Sequence, residues 1–290
     1  MKLSVVVAGR DDGYGDLATQ GIYNLDFIPM SNFERIAYCL EQNLKNLYAT
    51  FGDDFELIFI DWSPLKGRDL GQNSVLLNLD KTKKVRHIAV RKSAIKARKL
   101  NPKSFYEYHA KNVGLRLATG KYTLISNSDN FFTDKLLKEV FDVIEGGYNE
   151  FYYRPYSRID IRSCLPFIEE SEGFSFSDKD LFGKLGTDAA GDFILTQSDN
   201  LRKIRGFDEN SNKPKSINKR QSALDGQLLI QLYISGIKPK VLQNSTYSIS
   251  HNKIERNYYG MFLHSYLNDD SWGLQDRIIR FIDPGVYEVI

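Results

Sequence analysis

The stretch YHAKNVGLRLATGKYTLISNSDN, Tyr108 to Asn130, decides how this chain reads. Val113, Leu115, Leu117 and Ala118 are the apolar content of a short helix. Thr119-Gly120 closes it, with glycine expected in the left-handed position that it takes without steric cost. Tyr122 to Ile125 is a short buried strand, and Ser126 to Asn130 ends it abruptly in polar residues. Such an end places side-chain oxygens at the carboxyl edge of a sheet, where ligands bind in open α/β folds. Asn, Asp and Ser also dominate ordinary turns, so the neighbouring segments must decide.

Those neighbours repeat the pattern. Leu3 to Ala8 is apolar and rich in β-branched residues, as in a central parallel strand, and it breaks at Gly9-Arg10-Asp11. Ser31 and Glu34 form a capping box ahead of a helix carrying Phe33, Ile36, Ala37, Leu40, Leu44 and Leu47 at helical spacing. Phe55 to Ile60 is a second buried strand ending in Asp61-Trp62-Ser63-Pro64, and Val85 to Val90 is a third. Alternating strands and helices predict βαβ units and a single-domain α/β fold with a mostly parallel sheet.

Downstream, Asp134 to Ile144 is an amphipathic helix stopped by Gly146-Gly147, and Glu150 to Tyr156 and Ile159 to Ile161 fit strands. Phe193 to Gln197 reads as a strand or a helix start, and Leu201 to Gly206 as a short helix. The polar, basic run Asn210 to Arg220 is a candidate lid. Leu224 to Ser235 carries a helical pattern, and a final helix is expected through Ile282. The expected division is a nucleotide-sugar half (1–130), an acceptor half (131–255) and a C-terminal helical extension (256–290).

Composition bounds the function. With 42% hydrophobic and 26% charged residues over 290 positions, the chain is globular rather than disordered. A net charge of +2 argues for no particular partner, the basic density from Lys81 to Lys111 reads first as a solvated face, and no nucleic-acid partner is expected. Cys39 and Cys164 lack metal-ligand spacing and read as buried free thiols. No apolar run spans a bilayer and Met1 leads directly into a strand, so the expected location is the cytoplasm. The basic stretch Lys81–Lys103 leaves peripheral association with the inner face of the membrane open.

Three expected strand ends, Asp11, Asp61 and Asn127/Asp129, carry acids or amides to one edge. There is no G-x-G-x-x-G after the first strand and no G-x-x-x-x-G-K-[ST] anywhere, which lowers redox enzymes and P-loop kinases. Carboxylate and amide oxygens suit Mg²⁺ or Mn²⁺, which commonly keeps a substrate phosphate among its ligands. Metal, phosphate and an open sheet edge suggest a nucleotide-diphosphate donor. Taken singly, Asp61 also reads as a turn cap, Lys111 as a solvated helix residue and Asp225 as a helix N-cap.

At this point the chain resembles a GT-A fold glycosyltransferase of the family 2 type. The matching residues are Ala110-Lys111-Asn112-Val113-Gly114, Ala118-Thr119-Gly120-Lys121-Tyr122 and Asn127-Ser128-Asp129. It is similar more narrowly to a bacterial branch with N-x-D for D-x-D. That branch also shows Asp61-Trp62-Ser63-Pro64, Gly191-Asp192-Phe193, Arg205-Gly206-Phe207 and Trp272-Gly273-Leu274.

The resemblance implies roles by position. Ala8, Arg10 and Asp61 fall where the base and ribose are held, and Lys111 and Asn112 near the diphosphate. Asn127, Ser128 and Asp129 complete the donor site, with Asp129 facing the metal and His251 as a second ligand. Asp225 falls at the catalytic base, with Asp192 as rival and acceptor contact. Three positions depart from the pattern: Asn127 for the first acid, Leu224 for the Glu before the base, and Ser248 for the first of two late histidines.

The expected activity is a metal-dependent, inverting transfer, UDP-sugar favoured, to a glycan or lipid-linked glycan in bacterial surface polysaccharide synthesis. One rival is a nucleotidyltransferase, which would release pyrophosphate. The other is a degenerate GT-A module that binds glycan or protein.

Overall fold

The computed structural model describes residues 1–10, 32–64, 84–153, 158–160, 165–167, 193–209, 224–244, 246–249, 268–283 and 286–290. The elements begin with β1 (Leu3–Gly9), α1 (Asn32–Phe51), β2 (Phe55–Trp62), β3 (Val85–Val90) and α2 (Lys92–Ala97). Next come α3 (Glu107–Leu117), β4 (Tyr122–Asn127), β5 (Asn130–Phe131), α4 (Asp134–Gly146) and β6 (Glu150–Tyr153). They continue with β7 (Arg158–Asp160), β8 (Leu165–Phe167), β9 (Phe193–Gln197), α5 (Ser198–Ile204) and α6 (Leu224–Ile234). β10 (Lys238–Val241), β11 (Tyr247–Ile249), a 3-10 turn (Trp272–Leu274), β12 (Ile279–Asp283) and β13 (Val286–Val289) complete the order.

Among the described residues, nine strands form one sheet in the order β10-β6-β9-β4-β1-β2-β3-β13-β12. From β4 through β13 the neighbours are parallel. β9 is antiparallel to both β4 and β6, and β12 to β13. A second sheet has the order β5-β11-β7-β8.

β1 and β2 are buried along their whole length, which is why both read as continuous apolar runs rather than alternating ones. The pleat then divides them between two cores. Val6, Ala8, Ile58, Ile60 and Ile125 pack with Ala110 and Val113 of α3. Val5, Val7, Leu57, Phe59 and Leu124 pack with Ile36, Leu40 and Leu47 of α1 and with Leu136 and Val140 of α4. The result is a helix–sheet–helix sandwich. No helix among the described residues is long and apolar enough to cross a membrane.

Gly120 departs from its expected role. α3 passes into extended backbone at Ala118, and Gly120 has no positive φ. A Cβ there would lie 2.5 Å from the Ser4 backbone nitrogen, so close approach to β1 is what requires glycine. The Gly120 N–H donates to Ser4 Oγ at 2.7 Å, and Ser4 Oγ donates to Glu56 Oε1 at 2.6 Å. Thr119 donates to the same oxygen through its N–H at 2.7 Å and its hydroxyl at 2.6 Å, while Arg86 meets Oε2 at 2.9 Å.

Burial opposes ionisation of Glu56, but the donors on Ser4, Thr119 and Arg86 hold its carboxyl below the usual value. Glu56→Ala should therefore lower stability by about 2–4 kcal/mol at pH 7 in urea unfolding, because several buried donors lose their acceptor. A depressed folded pKa gives stability that is present above the unfolded value of ~4.3 and lost as pH falls through the folded one. The stability curves of variant and wild type should converge in acid; equal stability at pH 7 would show that this clasp contributes nothing.

The C-terminal expectation is corrected. In place of a final helix through Ile282, β12 and β13 form an antiparallel pair that joins the main sheet beside β3. The sequence cues were the Ile-rich run 278–282, the Asp-Pro-Gly composition of 283–285 and the β-branched Val286 and Val289. Phe193–Gln197 is a strand. The proposed lid of residues 210–220, with Asp11, Cys164, Asp192 and His251, lies outside the described residues.

Candidate functional site

Strand register assembles the carboxyl edge of the sheet. Ala8 stands opposite Asn127, Gly9 opposite Asp61, and Asp61 opposite Ala89. Asp61 and Asn127, 66 positions apart by number, thus flank the same end of β1. They do not share a face. Asn127 follows Ile125 onto the α3 side, whereas Asp61 follows Phe59 onto the α1 side.

On the α3 side, Lys111 is fully buried and its Nζ donates to Glu107 Oε1 at 2.7 Å and to Asn127 Oδ1 at 2.6 Å. The ammonium also lies 5.7 Å from the Tyr108 ring centroid. Glu107 was missed by sequence reasoning, although its i, i+4 spacing from Lys111 was available. Trp62, Tyr106 and His109 pack ring against ring with centroids 5.5–6.4 Å apart and hold this end of α3 on β2.

Asp225 sits in the first turn of α6, where its Oδ1 accepts from the Gly226 N–H at 3.0 Å. Burial pushes its carboxyl above the ordinary value, against the Gly226 N–H and the positive charge of Lys111, while the negative charge of Glu107 adds to the rise. One ammonium therefore stands within electrostatic reach of two carboxylates and in contact with the first residue of N-x-D. Leu224, which precedes Asp225, is buried.

On the α1 side, Asp61 is wholly buried, with Oδ2 3.6 Å from Nε2 of the equally buried His87. His87 stacks on Phe59 at 5.9 Å. Arg10 is buried and donates to the Lys103 carbonyl at 3.1 Å, and Ser63 donates to the Pro102 carbonyl at 2.5 Å. The ends of β1 and β2 are thereby tied to one loop.

Ser128 and Asp129 form the partly buried turn after β4. Burial raises the Cys39 thiol, the charge of Asp129 raises it further and Arg35 opposes. Asn43 of α1 fixes the chain just past this turn, donating to the Asn130 carbonyl at 2.7 Å and accepting from the Phe132 N–H at 2.7 Å. Its signal was a polar residue on the apolar stripe of α1.

Asn112 turns elsewhere. Its Nδ2 donates to the Phe207 carbonyl at 2.8 Å and to Glu209 Oε1 at 2.9 Å, and its Oδ1 accepts from the Phe207 N–H at 2.8 Å. Gly206 has φ +67°, and a Cβ there would lie 2.2 Å from Asn112 Oδ1. Glu209 also accepts from the Gly273 N–H at 2.8 Å. Three of the sequence motifs, around Asn112, Gly206 and Gly273, thus meet in one buried knot.

For a metal, the N-x-D segment offers one carboxylate, Asp129, while its Asn127 amide oxygen accepts from Lys111. No group of three His, Cys, Asp or Glu suited to a metal occurs among the described residues. A Mg²⁺-type ion held by one or two carboxylates with substrate phosphates and waters is compatible with that donor set.

No protein-family model matches the sequence, and no curated protein matches it. Among solved structures, the chain is similar to Staphylococcus aureus TarS 1-349 in complex with UDP-GlcNAc. That match has a TM-score of 0.50 and 16% identity, covering 88% of this chain and 60% of that one. The fold is of the GT-A type. The mannosyltransferase PcManGT from Pyrobaculum calidifontis, in complex with GDP-Man and Mn²⁺, matches with a TM-score of 0.47 and 14% identity over 86% and 56% of the two chains. The chain spans about 60% of the TarS 1-349 length. Of the residues singled out in the sequence, register sets Ala8 between Asp61 and Asn127, and on the α3 side Lys111 contacts Asn127 and acts on Asp225.

Proposed function

We propose that the chain is a nucleotide-sugar glycosyltransferase that moves a sugar, with inversion, onto a hydroxyl of a glycan or lipid-linked glycan in surface polysaccharide synthesis. The observation that supports it most is the array of Asn127, Lys111 and Asp225 at the carboxyl edge of a GT-A sheet. The UDP-GlcNAc complex of TarS makes UDP-sugars the first donors to test.

Asp225 takes the proton of the acceptor hydroxyl as its oxygen attacks the anomeric carbon, and the bond from that carbon to the diphosphate oxygen breaks. Ala8, Arg10 and Asp61 lie on the base and ribose side, and Ser128 and Asp129 on the diphosphate side. Lys111 orients the Asn127 amide and steadies the charged form of Asp225. Asp129, with His251 as second ligand, would hold Mn²⁺ or Mg²⁺, which when bound would supply positive charge for the departing diphosphate. Asp192 is assigned to the acceptor.

The test is nucleoside diphosphate release from UDP-, GDP- and CDP-sugars with Mn²⁺. Asp129→Ala should abolish metal-dependent donor binding in calorimetry. Silence across the panel with no nucleotide bound would sink the reading. The Lys111 contact on Asn127, with Leu224 in place of an acid, favours a second reading in which a donor binds but is never consumed. Pyrophosphate as product would instead indicate nucleotidyl transfer.

A further inference from the structure

β12 is the outermost strand at its end of the main sheet, and no strand pairs with its outer side among the described residues. The Ile290 N–H donates to the Ile278 carbonyl at 3.1 Å, which extends the ladder one residue ahead of β12. Ile278, Ile279, Phe281 and Ile282 are 68%, 39%, 60% and 46% exposed. Native edges are usually blunted by charge, proline or cover. Here the one cation within β12, Arg280, is bound to Glu288 of β13 at 2.5 Å, and the ladder irregularity falls late, between Phe281 and Asp283.

The apolar residues occupy both faces of the strand. Ile279 and Phe281 stand opposite Val289 and Tyr287, and the Phe281 ring meets Tyr287 edge-on at 5.8 Å. Ile278 shares the face of Arg280 by alternation. A bilayer would cover one face and would leave the backbone N–H and C=O groups of the edge unpaired in hydrocarbon. Another β-strand satisfies both requirements.

The order Arg277-Ile278-Ile279-Arg280-Phe281-Ile282-Asp283 is chemically palindromic. Set antiparallel to itself about residue 280, it brings 279 opposite 281, the part of β12 ahead of the register shift between Phe281 and Asp283. Apolar residues then meet on either side of the central arginine pair. A twofold interface requires this self-complementarity, since the same patch serves both subunits. We propose that β12 pairs antiparallel with β12 of a second copy, with the twofold axis at Arg280, so that one sheet runs through both subunits. Glu288 of each copy neutralises the Arg280 that would otherwise meet its like. A contact of this size makes a weak, concentration-dependent dimer.

Sedimentation velocity over about a hundredfold range of concentration should give a sedimentation coefficient that rises as monomer becomes dimer. Phe281→Lys should abolish the rise. Compared at the lowest concentrations, where the wild type is monomeric, it should shift thermal unfolding only slightly, since that side chain is 60% exposed and its main contact is the edge-on Tyr287 ring. Arg280→Cys treated with diamide should form a covalent dimer, because paired residues in an antiparallel ladder lie within disulfide range. Tyr148→Cys, exposed elsewhere, should not. A wild type that stays monomeric throughout overturns the proposal. So does a Phe281→Lys variant that dimerises like wild type, cross-linking at 148 as fast as at 280, or binding of the monomer to anionic vesicles through this strand in place of self-association.

Discussion

Asp225→Asn should leave donor binding intact and lower turnover by about 10²–10⁴-fold, the usual contribution of a positioned general base. Asparagine keeps the shape of the side chain and an acceptor for the Gly226 N–H, so the first turn of α6 is not disturbed. It removes the only feature the proposed chemistry needs, a carboxylate able to take a proton. The pH profile carries a second signature. Turnover falls as pH drops through the pKa of the base, which burial raises. Glu107→Gln removes a negative charge that adds to the rise, so the acidic limb should move to lower pH. Lys111→Met removes the opposing cation, and the limb should move to higher pH.

Stability should run against activity at this residue. A carboxylate whose folded pKa is raised contributes stability at low pH that is lost as pH rises through the folded value. Asp225→Asn should thus unfold no earlier than wild type at pH 7, the trade-off often met where a site holds strained charge. Near-normal turnover in this variant would place the base elsewhere, with Asp192 the next residue to replace.

The strands of the parallel core were legible because a strand buried on both faces is mostly apolar, and LSVVVA, FELIFI and VRHIAV are dominated by β-branched and apolar residues despite Ser4, Glu56, Arg86 and His87. Their register then comes from parallel pairing, so the meeting of Asp61 and Asn127 beside Ala8 could be expected from the strand ends alone. What was not legible depended on distance. Gly120 looked like a helix stop because its true constraint, the backbone of Ser4, is 116 residues away. Lys111 was readable as a cation near the site, but not as one already held by Glu107 and Asn127. The last strands were not legible because an Ile-rich segment fits either period.

Asn112→Ala should lower stability by about 3–5 kcal/mol. Three hydrogen bonds end on its amide, and their loss leaves the buried Phe207 N–H without an acceptor and Glu209 with one donor fewer, each costing about 1–3 kcal/mol. The Phe207 carbonyl is spared, since Asn268 Nδ2 still donates to it at 2.6 Å. Asn112→Asp distinguishes the mechanism from simple loss of volume. It keeps the acceptor for Phe207 but turns an oxygen toward Glu209, whose carboxyl burial already pushes up. Two carboxylates at that separation disfavour double ionisation, so the aspartate variant should be least stable at neutral pH and recover as pH falls and the pair takes up a proton. Both variants, assayed below their unfolding temperature, should bind nucleotide like wild type, because both amide N–H groups of Asn112 are engaged within the protein. Loss of nucleotide affinity with unchanged stability would return Asn112 to the donor site, where the resemblance had put it.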